Sequence, residues 1–182
     1  MKESIDKEIL LPEGVEAEFK GSTIHLKSGN LSLKRSFHVK GIDFEKKEGK
    51  LILKAAMAGK REKKIAGTIA AHIRNMLAGI QNPFEYKLQI CSVHFPIAVT
   101  IDDKRKLVVV KNFLGETDER TAPILPGAEV KVQQDIITVV SADKELAGQT
   151  AANIESATRI KARDRRIFQD GIFITEKAGE KI

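Results

Sequence analysis

The sequence has no tryptophan, one tyrosine and one cysteine in 182 residues. With aromatics at 5%, its core must be built mainly from Ile, Leu, Val and Ala. A single cysteine, Cys91, excludes an intramolecular disulfide and fits a reducing compartment. No apolar run approaches the roughly 20 residues of a membrane-spanning helix. The opening MKESIDKEILLPEG lacks the apolar stretch of a secretory signal. The expectation is therefore a soluble, cytoplasmic protein with no membrane contact. Neither a G-x-x-x-x-G-K-[ST] phosphate loop, a G-x-G-x-x-G fingerprint nor an H-E-x-x-H helix occurs, so the familiar nucleotide-binding and zinc-hydrolase motifs are missing.

What is present is a basic, moderately apolar chain. Hydrophobic residues make up 42%, enough for a packed core and too many for wholesale disorder. The length suits one ordinary domain or two small ones. Net charge is +6 with an isoelectric point near 9.4, which favours an anionic partner: nucleic acid, a membrane surface or acidic protein. The charge is uneven. Residues 1–81 carry 16 Lys/Arg against 10 Asp/Glu, residues 82–158 carry 8 against 11, and residues 159–182 carry 7 against 4. A basic front and a basic end around an acidic middle imply two contact zones, and the acidic stretch leaves room for a protein neighbour.

Two segments carry helical periodicity. In residues 61–80, Ile65, Ile69, Ile73, Met76 or Leu77, and Ile80 fall on one face, and Gly79 with Asn82-Pro83 ends the run. Residues 143–158 place Leu146, Thr150 and Ile154 together, with Asp143 supplying negative charge at the start. The two helices match without a gap: residues 65–73 (IAGTIAAHI) against 146–154 (LAGQTAANI). Strand-like runs precede each in the same order. Val15, Ala17 and Phe19 correspond to Ile97, Val99 and Ile101; residues 24–27 to 108–111; residues 51–53 to 136–139. Runs at 84–90 and 166–174 follow the helices. These features predict an α+β protein of two tandem duplicated units, each a small, mainly antiparallel sheet packed against one helix. The first repeat is expected at 1–82. The second is expected at 83–182 with a basic C-terminal segment, although the run at 84–90 fits either unit. The tail 177–182 reads as frayed.

The candidates for chemistry are few. Cys91 and His94 make one C-x-x-H pair where structural zinc usually needs two, so a core cysteine is the simpler reading. A Cys–His nucleophile would need a third orienting group, which nothing marks. His72 reads as a packed or surface helical histidine. Asp102-Asp103, followed by Lys104-Arg105-Lys106, reads as a charged hairpin turn. No catalytic residue, metal site or cofactor is expected, and an enzyme would need a cleft of converging acid and base groups that these residues do not supply.

The basic clusters say more. Lys34-Arg35 precede Ser36-Phe37-His38-Val39-Lys40. Lys60-Arg61 and Lys63-Lys64 crowd the start of the first helix, the end that disfavours cations, and either a phosphate or Glu62 with solvent compensates. The densest cluster is Arg159, Lys161, Arg163, Arg165 and Arg166. In an extended chain alternate residues share a face, so the first four would form one row suited to phosphate contact. The other reading is a solvated loop partly neutralised by Asp164 and Asp170. A free RNA-binding or RNA-processing factor would carry the same clusters, but it would also be expected to show stacking aromatics, which are scarce here.

At this point several stretches are similar to a known family. Residues 26–37 (LKSGNLSLKRSF) resemble the first-repeat hairpin of large-subunit ribosomal protein six in its archaeal and eukaryotic form. Residues 75–79 (NMLAG), 84–88 (FEYKL) and 94–97 (HFPI) look like its central stretch. Residues 110–116 (VKNFLGE) resemble its second-repeat hairpin, and residues 165–174 (RRIFQDGIFI) its C-terminal signature. The matches run in order along nearly the whole chain. The first hairpin departs from the pattern, with Ser28-Gly29-Asn30 where the family often has Lys-Gly-Pro. The resemblance implies a structural constituent of the large ribosomal subunit, without catalysis of its own. It implies binding to large-subunit rRNA near the base of the lateral stalk and the sarcin–ricin loop, beside neighbouring ribosomal proteins, and an indirect link to translation factors. It places the main RNA contact in the second repeat and C-terminal region. That falls on Arg159, Lys161, Arg163, Arg165 and Arg166, with Lys34 and Arg35 in the first hairpin. Gly115 would let backbone approach RNA closely or would simply form a tight turn.

Overall fold

A computed structural model describes residues 3–29, 31–37, 39, 41–47 and 49–182. Of the residues named above, Asn30, His38, Lys40 and the first two of the chain lie outside these. The chain divides into two compact units, Met1–Asn82 and Pro83–Ile182. Unit 1 runs β1 (Glu3–Leu10), β2 (Glu16–Lys20), β3 (Thr23–Ser28), β4 (Leu31–Ser36), β5 (Asp43–Lys47), β6 (Lys50–Ala58) and α1 (Lys60–Gln81). Unit 2 runs β7 (Phe84–Cys91), β8 (Ala98–Asp102), β9 (Leu107–Lys111), a 3₁₀ turn (Phe113–Gly115), β10 (Arg120–Pro123), β11 (Glu129–Gln133), β12 (Ile136–Ser141), α2 (Lys144–Ala157), β13 (Gly171–Lys177) and β14 (Glu180–Lys181).

The protein is α+β, and the two units repeat one topology. Unit 1 pairs its strands as β1-β6-β5 and β2-β3-β4; unit 2 pairs them as β7-β12-β11 and β8-β9-β10, all antiparallel. Each unit thus holds two antiparallel sheets where the alternation of apolar residues predicts one. The reason is that the hairpin strands between the first and last strands pair only among themselves. The run at 84–91 belongs to unit 2. As β7 it occupies the place of β1 and is not a strand closing the first repeat. Unit 2 then adds β13 on the free edge of β7, with β14 beyond it.

Helix registers follow the sequence match. On α1 the buried positions include Ala66, Ile69, Ala70 and Ile73; on α2 they are Ala147, Thr150, Ala151 and Ile154, the same places in the aligned stretch. Small residues at two of the four let each helix lie close to its strands, and α2 packs against β7, β12 and β13. Thr150 stands where unit 1 has Ile69. It is fully buried, and its hydroxyl accepts a hydrogen bond from the Leu125 backbone N–H at 3.4 Å, so a polar atom there is satisfied. Asp143 is the N-cap of α2, its carboxylate accepting from Glu145 N–H at 2.9 Å. At the start of α1 the Glu62 carboxylate accepts from Gly59 N–H at 2.8 Å. That contact satisfies the Gly59 N–H and holds a negative charge in the first turn of α1.

The tail, which the sequence reads as frayed, folds back as a short hairpin on β13. Ala178 and Gly179 take left-handed backbone (φ 51° and 86°) and turn the chain so that Lys177 pairs with Glu180 and Glu176 with Lys181. Ile73 and Ile154 are fully buried at equivalent helix positions. Ile73→Ala and Ile154→Ala are each expected to destabilise their own unit by about 2–5 kcal/mol in urea unfolding. Exposed Arg74→Ala is expected to stay within about 0.5 kcal/mol of the parent.

Candidate nucleic-acid interface

The basic cluster lies on the loop 159–170, which carries the chain from α2 to β13. Apolar residues tie both of its ends into unit 2, and polar groups set its path. At the start, Arg120 donates from Nη1 to the carbonyls of Ala157 (3.0 Å) and Arg159 (3.3 Å). Arg120 is itself held by a bidentate pair with Glu116 (2.6 and 2.7 Å) and lies 4.3 Å over the Phe113 ring. The Arg120 hydrogen bond keeps the Glu116 carboxyl below its ordinary value, against burial, which pushes it up. Buried Thr158 caps α2, and its hydroxyl accepts from Ile172 N–H at 2.9 Å, joining the loop's beginning to β13.

The loop is not the extended row that alternate spacing predicts. Ala162 has left-handed backbone (φ 56°) and bends the chain. Residues 164–168 then form a turn in which Ile167 and Phe168 N–H donate to the Asp164 carbonyl at 3.1 and 2.9 Å. The stretch 166–168 is therefore turn, and the strand begins only at Gly171. The cause is Asp164. Its carboxylate accepts from Arg166 N–H (2.9 Å) and from the Arg166 guanidinium (2.7 Å), which ends strand geometry there. The pairing lowers the Asp164 carboxyl and raises Arg166.

The structure thus divides the five basic residues. Arg166 is chelated by Asp164. Arg163 lies 5.0 Å over the Phe168 ring. Arg159, Lys161 and Arg165 are exposed and have no ion-pair partner among the described residues. A cleft of about 770 Å³ opens beside the loop, with Arg159, Arg165, Arg166, Phe168 and Phe173 in its wall. Cys91 lines it too. It is half-buried at the end of β7, not a core cysteine as its apolar neighbours suggest.

Gly115 is in the 3₁₀ turn with φ 78°, a backbone that favours glycine, and a Cβ there would sit 3.5 Å from the Phe95 ring. The loop 92–96 bearing Phe95 is fixed on one side by Asn112, whose amide donates to the Pro96 carbonyl at 3.0 Å. Asp170 fixes its other side. Gly115 and the basic loop are therefore brought to one region of unit 2. Lys34 and Arg35 are on β4 of the other unit; Lys34 is exposed, and Arg35 is half-buried with its guanidinium 5.8 Å from the Phe37 ring.

Sequence reasoning read Asp170 as a charge neutralising the basic loop and His94 as half of an incomplete metal pair; it missed that Asp170 is buried and pairs with His94. Asp170 is 1% exposed, and its carboxylate accepts from Val93 N–H (2.7 Å), His94 N–H (2.9 Å) and His94 Nδ1 (2.6 Å). His94 stacks on Phe168 with centroids 5.1 Å apart. No local pattern announces a contact spanning 76 positions. His94 is legible only as half of an incomplete metal pair, and among the described residues no group of three or more His, Cys, Asp or Glu could hold a metal.

Taken together, this is a duplicated α+β protein with a braced cationic loop in its second unit. Residues 95–171 match the family model described as Ribosomal protein L6. Nearly the whole chain is similar to the large ribosomal subunit protein uL6 of Methanococcus vannielii, 44% identical over 176 residues covering 97% of this chain and 96% of that one. Its counterpart in Staphylothermus marinus is 44% identical over 181 residues, 97% of each chain. That of Methanocella arvoryzae is 43% identical over 172 residues, 94% of this chain and 97% of that one. The chain belongs to the ribosomal protein L6 family, whose members are structural and non-enzymatic.

Burial pushes the Asp170 carboxyl up, but the hydrogen bonds from His94 and Val93 outweigh it and hold it below the ordinary 3.8. A lowered carboxyl stabilises the fold fully above the unfolded value and loses that contribution as pH falls through the folded one. The stability advantage of the parent over Asp170→Asn is therefore expected to be constant near neutrality and to shrink below about pH 4. Urea midpoints across pH measure it; an advantage unchanged down to pH 2 would contradict the assignment.

Proposed function

We propose that the protein is a structural constituent of the large ribosomal subunit that binds large-subunit rRNA through the loops of unit 2. The observation that carries this reading is the divided cluster on loop 159–170. All five basic residues are exposed; Arg166 pairs with Asp164 and Arg163 lies over Phe168, whereas Arg159, Lys161 and Arg165 have no ion-pair partner among the described residues. Cations held apart from carboxylates on an ordered loop suit the phosphate backbone of a folded RNA, where each neutralised phosphate releases counterions. The relatives' names, all large ribosomal subunit proteins, support the same assembly.

The sites divide as follows. Residues 83–182 are the second repeat and the main RNA-contacting part, with Gly115 allowing close approach of the 3₁₀ turn to the RNA. Residues 1–82 are the first repeat and add Lys34 and Arg35 as a second contact. The site on the subunit is near the base of the lateral stalk and the sarcin–ricin loop. There the protein adjoins other ribosomal proteins, supports translation by holding RNA in shape, and affects translation factors indirectly.

Salt titration of binding to protein-free large-subunit rRNA tests the loop. Each phosphate contact contributes ~0.9 to the negative slope of log affinity against log salt, on the duplex-DNA scale. Replacing Arg159, Lys161 and Arg165 together with Ala is expected to weaken binding and flatten the slope by up to about 3. Lys104→Ala with Arg105→Ala, on the β8–β9 hairpin, removes exposed charge elsewhere in unit 2 and should change the slope by less. If the hairpin pair abolishes binding and the loop triple leaves it intact, the RNA-binding face is wrongly assigned.

A further inference from the structure

Phosphate contact by the loop cations without an ion-pair partner leaves the Asp170–His94 pair without a role. A carboxylate this deeply buried is costly unless donors surround it. All three donors to Asp170 come from the 92–96 loop, two from backbone and one from the His94 ring. The Nδ1 contact fixes the rotation of the imidazole, which an apolar contact would not do, and so sets the face presented to Phe168. Phe168 carries Arg163 on its ring and donates its own N–H to the Asp164 carbonyl. Asp164 in turn grips Arg166. One continuous set of contacts therefore runs from the buried carboxylate to Arg163, Arg166 and the turn 164–168 that carries Arg165.

We propose that Asp170 and His94 are positioning residues for RNA binding: without touching RNA, they hold Phe168 and the turn 164–168 so that the basic loop meets RNA already in its bound shape. This rests on the reading of loop 159–170 as the RNA-contacting segment. Preorganisation matters because each backbone residue that must be ordered on binding costs about a factor of ten in affinity. His94 is about a third exposed, so its replacement leaves the hydrophobic core untouched.

The test uses the full chain and protein-free large-subunit rRNA, with affinity and salt slope read together. His94→Ala is expected to weaken binding about tenfold while leaving the salt slope within about 0.3 of the parent, because the charges that meet phosphate are still present. Arg165→Ala shifts the slope instead. Asp170→Asn keeps an acceptor for the two backbone N–H groups and offers an amide donor to the ring, so it should retain most of the affinity that Asp170→Ala loses. Amide hydrogen exchange at Ile167 and Phe168, whose N–H groups bond to Asp164, should accelerate in His94→Ala and not in Asp170→Asn. Should Asp170→Ala fail to fold, His94→Ala carries the test. Unchanged affinity in His94→Ala, or a slope change like that of Arg165→Ala, overturns the proposal. If replacing Arg159, Lys161 and Arg165 together leaves binding intact, it is the RNA-contact reading that fails instead.

Discussion

Asp170 occupies the position at which β13 begins, and its charge must be satisfied inside the protein or given up. The three donors that satisfy it come from the loop that follows β7, so the carboxylate joins the end of β7 to the start of β13, its neighbour in the sheet. Two consequences follow from that one constraint. The 92–96 loop is fixed, which places Phe95 against the Gly115 turn. The end of loop 159–170 is fixed as well, while Arg120 fixes its beginning through the carbonyls of Ala157 and Arg159. A segment dense in like charges would otherwise repel itself and stay open. Here it is closed by one arginine that gives up its freedom at the start and one aspartate at the end.

Duplication explains why this apparatus sits where it does. Both units fold from the same order of strands and a helix with small residues on its buried face. Unit 2 differs by having β13 paired with β7, on the edge whose counterpart on β1 carries no strand among the described residues. That added strand needs a connection from α2, and the connection is the basic loop. The extra sheet edge and the cationic surface are thus one feature. The substitution of Thr150 at the Ile69 position fits the same picture, since the second unit uses that hydroxyl to hold Leu125.

Much of the fold is legible in the sequence, because helices are local. The 3.6-residue periodicity of α1, the ungapped match to α2 and the Asp143 cap each depend on neighbours a few positions away. The strands β2, β3, β6, β8, β9 and β12 are visible for the same reason. What stays hidden is pairing over distance. Nothing local in Glu3–Leu10 says that it pairs with Lys50–Ala58, or that 84–91 is its counterpart. At the candidate site the basic residues stand out by composition alone. Their shape does not, because Asp164 bends the loop through its own backbone and Asp170 reaches a histidine 76 positions away. A spacing of every second residue is compatible with an extended row, and the left-handed backbone at Ala162 together with the Asp164 capping contact breaks it.

The proposed role makes this chain an integral part of the large ribosomal subunit and not a factor that visits it. The most direct measurement is co-sedimentation with isolated large subunits before and after a high-salt wash. An integral protein, buried among RNA and neighbouring proteins, is expected to remain with the subunit at full stoichiometry, because inside the particle its cation–phosphate contacts are shielded from solvent and screened much less. Release of the protein into the supernatant, with the subunits otherwise intact, would contradict the claim.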